Sequence, residues 1–157
     1  MKNFIARTIT GILFVAAVVV SFLDPVAMIA LFCLVTGLTV WEFTGLVNRR
    51  DDVSVNRFIS TVAGCYFFLA MAGYACGMTP PTVFVPYLVT ILYLLVSELY
   101  AKQPDPIHDW AYTMMSQLYV VLPFSLLNIL AFRVSAEGMT FTSVLPLSVF
   151  VFLWIND

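Results

Sequence analysis

The chain has 157 residues, 62% of them hydrophobic and 10% charged, with a mean hydropathy of +0.99 and a formal net charge of −2. Water-soluble domains carry about 25% charged residues, so this composition excludes a water-facing surface over most of the molecule. The acidic balance, with no basic run, excludes nucleic acid as a partner.

Six apolar segments follow one another. The first runs from about Phe4 to Leu23, behind Lys2 and with Arg7 near its start. It has the outline of a signal peptide, but five more apolar segments follow, so it reads as a retained span. Asp24-Pro25 forms a tight turn, since proline opens a helix well and breaks one badly. The second segment covers about Val26 to Val47, and polar residues Asn48 to Asn56 separate it from the third, about Phe58 to Met78. Thr79-Pro80-Pro81 breaks the chain before the fourth, about Val83 to Tyr100. A polar stretch from Ala101 to Asp109 leads to the fifth, about Trp110 to Phe132. A short loop, Arg133 to Thr142, enters the sixth. The first five have the roughly 20-residue length that crosses a bilayer. No strand meander is visible, so the expected fold class is all-α: a polytopic membrane helix bundle with five complete spans and a truncated sixth.

Positive charges orient this bundle. With the N-terminus in the cytoplasm, the inner segments hold Lys2, Arg7, Arg49, Arg50, Arg57 and Lys102, and the outer ones hold Arg133 alone. That asymmetry obeys the positive-inside rule. The expectation is an integral protein of the bacterial inner membrane with a cytoplasmic N-terminus.

Polar residues within the spans have both plain and functional readings. Glu42, between Trp41 and Phe43, snorkels to the interface beside an aromatic anchor or serves a site. Glu98 is similarly placed at the inner end of the fourth span. The stretch Asp105-Pro106-Ile107-His108-Asp109 has a faint metal-cluster look, but a proline-containing surface loop explains it better. Gly73 and Gly77 form a G-x-x-x-G that marks either a close helix contact or a loosened helix end. Ser116, Ser125 and Asn128 are expected to hydrogen-bond across the bundle. Cys33, Cys65 and Cys76 have neither zinc nor disulfide spacing and read as small apolar fillers.

The last stretch, Ser143 to Asp157, begins to cross a membrane and ends on a carboxylate. Fifteen residues at ~1.5 Å each reach about 22 Å, short of the ~30 Å hydrocarbon core. Either the helix continues in a longer protein, or Asp157 faces a polar cavity. The topology brings Asp157 towards the cytoplasmic face, where soluble nucleotides are available. A carboxylate there can hold Mg²⁺ shared with substrate phosphates; an Asn156-Asp157 pair is also an ordinary helix-ending sequence.

Three motifs resemble one family. The opening Phe4-Ile5-Ala6-Arg7-Thr8-Ile9-Thr10-Gly11 is similar to the R-x-I-T-G start of phosphatidate cytidylyltransferases (CDP-diacylglycerol synthases). Trp41-Glu42-Phe43 with Leu46 resembles their W-E-[FWY]-x-x-L element. Leu153-Trp154-Ile155-Asn156-Asp157 resembles the entry to their catalytic region, which continues with a glycine-rich stretch and the signature S-P-K-K-T-x-E-G. Neither of these occurs within the 157 residues, so the resemblance implies the N-terminal transmembrane portion of a larger enzyme, inactive alone. It also implies transfer of a cytidylyl group from CTP to phosphatidate, with Mg²⁺ as cofactor. Asp157 would then be a metal carboxylate and Asn156 its orienting neighbour, while the remaining catalytic and substrate-binding residues stay unassigned. Membrane lipids are the surroundings, and a homo-oligomer is left open. A lipid or polyprenol kinase-like transferase and a transporter fragment are the other readings. A transporter would show interrupted helices with polar groups at mid-depth, whereas the acidic groups here gather near inner helix ends.

Overall fold

The structure, a computed structural model, describes residues 2–101, 105–135 and 138–156, the side chains of 2–7 and 134–135 excepted. Helices α1 (Lys2–Ser21), α2 (Pro25–Val47) and α3 (Arg57–Ala75) follow in order, and a 3₁₀ turn (Pro81–Phe84) leads into α4 (Val85–Tyr100). Next come α5 (Pro106–Met115), a π-helical segment (Ser116–Val121) and α6 (Leu122–Ala131), forming one unbroken helical stretch. Strands β1 (Phe132–Ser135) and β2 (Gly138–Phe141) precede α7 (Val144–Asn156).

Local chemistry sets these boundaries. Asp24 caps α2, its carboxylate accepting from the Ala27 amide at 2.8 Å with Pro25 in the first turn. That is the N-cap and proline arrangement the orphan amides of a first turn demand. At the far end of α3, Gly77 has φ +70°. Its amide donates to Tyr74 and the Met78 amide to Gly73, both at 2.9 Å. These are the paired bonds of a left-handed glycine cap. Gly73 and Gly77 therefore end a helix, and a Cβ on Gly73 would meet Thr79 rather than another span. The π segment has a proline just beyond it, at Pro123. Proline lacks an amide donor and its ring collides with the carbonyl four residues back, here that of Tyr119, and the widened turn accommodates both.

Four helical stretches are long and apolar enough to cross a membrane: Pro25–Val47, Arg57–Ala75, Pro81–Tyr100 and Pro106–Ala131. The apolar part of α1, Thr8–Ser21, and α7 are shorter. The expected five spans plus a truncated sixth thus become four full-length candidates and two shorter apolar helices among the described residues. A second departure is the hairpin. The segment 133–142 is not a plain loop: β1 and β2 pair antiparallel from Phe132↔Phe141 to Ser135↔Gly138. The Phe132 and Phe141 rings lie 5.4 Å apart, and the Thr142 amide closes the ladder onto Ala131 at 2.7 Å.

Helices α2 and α3 pack closely along their lengths, with α6 against α3 and the π segment against both. The main core gathers Val18, Phe22, Met28, Phe32, Phe68, Leu127, Ala131 and Phe132. The Phe150 ring of α7 packs tilted against those of Phe22 and Phe32, with centroids 6.0 and 5.6 Å apart. The hydroxyls expected to bridge helices do not. Ser116 donates to Thr113, Ser125 to Val121, and the Asn128 amide to Ser125, all within their own helical stretch. A short side chain reaches its own preceding turn more easily than a neighbouring helix. The long side chain of Gln117 makes the crossing instead, donating to the Ser60 carbonyl at 3.0 Å while fully enclosed.

Candidate functional site

The C-terminus of α2, the N-terminus of α3, the C-terminus of α4 and the N-terminus of α5 share one end of the bundle. The 48–56 loop ties α2, α3 and α5, and Trp110 Nε1 donates to the Leu95 carbonyl to join α5 to α4. Asn48 and Val55 bond reciprocally, side-chain amide to carbonyl at 2.8 Å and main-chain amide to Oδ1 at 2.9 Å. Beneath, Val47, Val53 and Val55 form a small core against Phe43 and Tyr112. Asp109, fully buried, reaches across from α5, and its Oδ1 accepts the Ser54 amide at 2.6 Å. Asn56 caps α3 by accepting from Ile59 at 3.0 Å. The loop thereby fixes where Arg57 leaves the helix.

Arg57 lies back over α2. Its guanidinium carbon stands 4.1 Å above the Trp41 ring, and Nη2 donates to the Trp41 carbonyl at 2.9 Å. A Cβ on Gly45 would come within 2.5 Å of Nη2, so glycine is what lets the guanidinium lie flat across the helix. This plate borders two concavities. One, of about 1030 Å³, is lined by Glu42, Arg49 and Arg57 together with apolar residues that include Phe43, Met115 and Tyr119. The other, of about 800 Å³, is a groove between α2 and α3 whose wall is apolar apart from Thr61, bounded by residues such as Ile29, Leu34, Cys65 and Leu69. Leu38 and Trp41 belong to both walls.

The charges of this end divide into those satisfied locally and those that are not. Arg50 pairs with Asp52 at 3.0 Å, and this hydrogen-bonded partner holds the Asp52 carboxyl below its usual range. His108 faces Asp105 at 2.7 Å and Asp52 at 3.7 Å. Asp105 also caps α5 through the Ile107 and His108 amides, which lowers its own carboxyl in the same direction. The 105–109 stretch is thus a capped helix start rather than the expected surface loop: Asp105 and His108 face outward, and Asp109 is turned inward. Glu98 does not snorkel outward either; it is 6% exposed, close enough to Asp109 to interact electrostatically. By contrast, neither Arg49 nor Arg57 has an ion-pair partner among the described residues.

Of the residues singled out from the sequence, Trp41, Glu42 and Phe43 do line a cavity. Asn156 is exposed at the end of α7, about 9 Å along the helix axis beyond Phe150. Asp157 lies outside the described residues. No group of three His, Cys, Asp or Glu side chains among the described residues could hold a metal ion. Arg57, Arg49 and Gly45 were missed as members of one site. The available signal was a G-L-V-N-R-R turn followed by arginine at a helix start; by sequence Arg57, like Arg7, reads as a basic flank that could meet lipid headgroups at the inner interface, as such flanks do in any membrane protein.

Compared with known protein families, the chain matches the cytidylyltransferase family over residues 5–157, a family that includes phosphatidate cytidylyltransferase. Comparison with curated proteins and with solved structures gives no match.

Proposed function

We propose, from the premise that the chain belongs to the cytidylyltransferase family, that it takes part in transfer of the cytidylyl group of CTP to phosphatidate. An oxygen of the lipid phosphate forms a bond to the α-phosphorus of CTP. The bond from that phosphorus to the β-phosphate oxygen breaks, and pyrophosphate leaves with the electron pair. CDP-diacylglycerol is the other product. Family membership carries the use of CTP. The choice of a lipid acceptor is supported by one observation above all: an apolar groove between α2 and α3 adjoins a cavity bearing two arginines without ion-pair partners. A hydrocarbon chain needs the first and a phosphate the second.

The reaction's chief need is neutralisation of charge growing on pyrophosphate. Asp157, with Asn156 beside it, is our proposed Mg²⁺ carboxylate, and bound metal would supply that neutralisation. The described residues do not by themselves make a Mg²⁺ site, so the proposal routes no step through the metal. It places the chain as the N-terminal transmembrane portion of a larger enzyme in the bacterial inner membrane. The N-terminus and the Arg49–Arg57 end face the cytoplasm, in keeping with the positive-inside bias.

The test is CTP-dependent conversion of labelled phosphatidate to CDP-diacylglycerol in membranes carrying the full-length protein. Asp157→Asn is expected to lower kcat by about a hundred-fold or more, the scale of losing one charge-stabilising group. Full activity with unchanged Mg²⁺ dependence in that variant removes the metal assignment. Transfer of phosphate rather than cytidylate to the lipid would replace the reaction with a kinase.

A further inference from the structure

We infer that Arg57, seated on Trp41 and Gly45, is the headgroup anchor of an anionic-phospholipid site, the acceptor phosphate lying in the Arg49–Arg57 cavity and an acyl chain in the α2–α3 groove. The inference rests on the lipid acceptor proposed above and names the residues that would hold it.

Three observations carry it. Arg57 is fixed before any ligand arrives. Its guanidinium is stacked on Trp41, bonded to the Trp41 carbonyl and seated over the one residue of α2 without a side chain at that point. An arginine fork already in place loses less freedom on meeting a phosphate than a free side chain does. The charge is also unmet: no described carboxylate pairs with Arg57, and its Nε is buried without a hydrogen-bond partner. The side chain as a whole is only half-buried, so the charge remains accessible to a phosphate entering from the cavity, which would supply the missing counter-ion. Nearby, Arg50 is already engaged by Asp52, which leaves Arg49 as the second cation on the cavity wall.

The third observation is the wall itself. Leu38 and Trp41 border both the charged cavity and the apolar groove, so a ligand spanning them must be ionic at one end and hydrocarbon at the other. A free nucleotide would leave the groove empty. A zwitterionic lipid would gain less from two arginines than a phosphate monoester does. Glu42 shares the cavity and opposes an anion, leaving a net of one positive charge from two arginines and one glutamate. Glu42 therefore works as an internal control of sign.

The experiment measures lipid binding to the full-length protein in phosphatidylcholine nanodiscs doped with phosphatidate, with inorganic phosphate and CTP as soluble competitors. Arg57→Ala is expected to weaken phosphatidate binding by about ten-fold or more, the size of a charge-assisted contact. Arg57→Lys should recover only part, since a point charge lacks the fork. Gly45→Ala, which leaves every charge in place, should weaken binding in the same direction, and Glu42→Gln should tighten it. Thermal melting checks that each variant is folded. Phosphatidate binding unchanged in both Arg57→Ala and Gly45→Ala overturns the site, as does equal loss of phosphatidylcholine binding. So does displacement of the lipid by inorganic phosphate or CTP alone at similar affinity. If those variants still make CDP-diacylglycerol at the wild-type rate, the site falls and the reaction stands. If Arg57-dependent phosphatidate binding is found without cytidylyl transfer, the reaction falls and the site stands.

Discussion

Gly64→Leu is expected to destabilise the protein by about 3 kcal/mol or more, in the upper range for overpacking a closed interior. Gly64 is where α3 crosses the π segment. A Cβ there would lie 2.7 Å from Val121 Cγ2, 3.4 Å from Val40 Cγ2 and 3.9 Å from Gln117 Oε1. Val40 and Val121 are both wholly buried, and a β-branched side chain has little rotamer freedom with which to move aside. Gly64→Ala tests the same contact with a counterweight. Helix propensity favours alanine by about 1 kcal/mol, while the shift forced on Val121 costs roughly 1–3 kcal/mol, so the net is a loss of about 1 kcal/mol. Val121→Ala opens a cavity of its own, but the double variant Gly64→Ala/Val121→Ala should lose less than the two single variants summed, giving the two sites a favourable coupling. Unfolding of the detergent-solubilised protein by denaturant titration reads each of these variants. A Gly64→Leu variant as stable as wild type would mean that α3 and the π segment are not packed this closely.

The helices were legible in the sequence because lipid demands uninterrupted apolar runs and punctuates them with few residue types. Asp24-Pro25, Asn56 and Gly77 mark their boundaries, and each does in the structure what its side chain or backbone freedom allows. The hairpin was missed although its alternation was present: Phe132-Arg133-Val134-Ser135 and Gly138-Met139-Thr140-Phe141 both carry a period of two. Strand pairing depends on a partner several residues away, and over four residues that signal is hard to tell from a loop. The site divides in the same way. Trp41-Glu42-Phe43 is contiguous and could be read as a motif. The Arg57 seat needs residues at 41, 45 and 57 brought together by the fold of the 48–56 loop, which no local spacing reveals. Hydrogen bonding by Ser116, Ser125 and Asn128 was misread for a related reason: polarity marks that a group must be satisfied, not which carbonyl satisfies it.

Asp109→Ala is expected to cost about 1.5–3 kcal/mol, the worth of a hydrogen bond to a charged group, and to loosen the loop that seats Arg57. Asp109 holds the loop by the 2.6 Å bond from the Ser54 amide to Oδ1, and as an acid in the first turn of α5 it also meets the positive end of the helix dipole. Two features work against it. Oδ2 is buried without a partner, and the buried Glu98 carboxylate is an electrostatic neighbour. Because both oppose a negative charge, Asp109→Asn separates the contributions. It keeps an acceptor for Ser54 while removing the charge, and should cost less than alanine. Hydrogen exchange at the Ser54 and Val55 amides is the direct readout: faster in Asp109→Ala, close to wild type in Asp109→Asn. Ser54 protection unchanged in the alanine variant would show that the loop is held by Asn48 and the small valine core alone. Since the loop ends at Arg57, Asp109→Ala should also weaken phosphatidate binding without touching any residue of the cavity wall. An Asp109→Ala variant with a freed loop and intact lipid affinity would locate the rigidity of Arg57 in the Trp41 stack and the Gly45 seat instead.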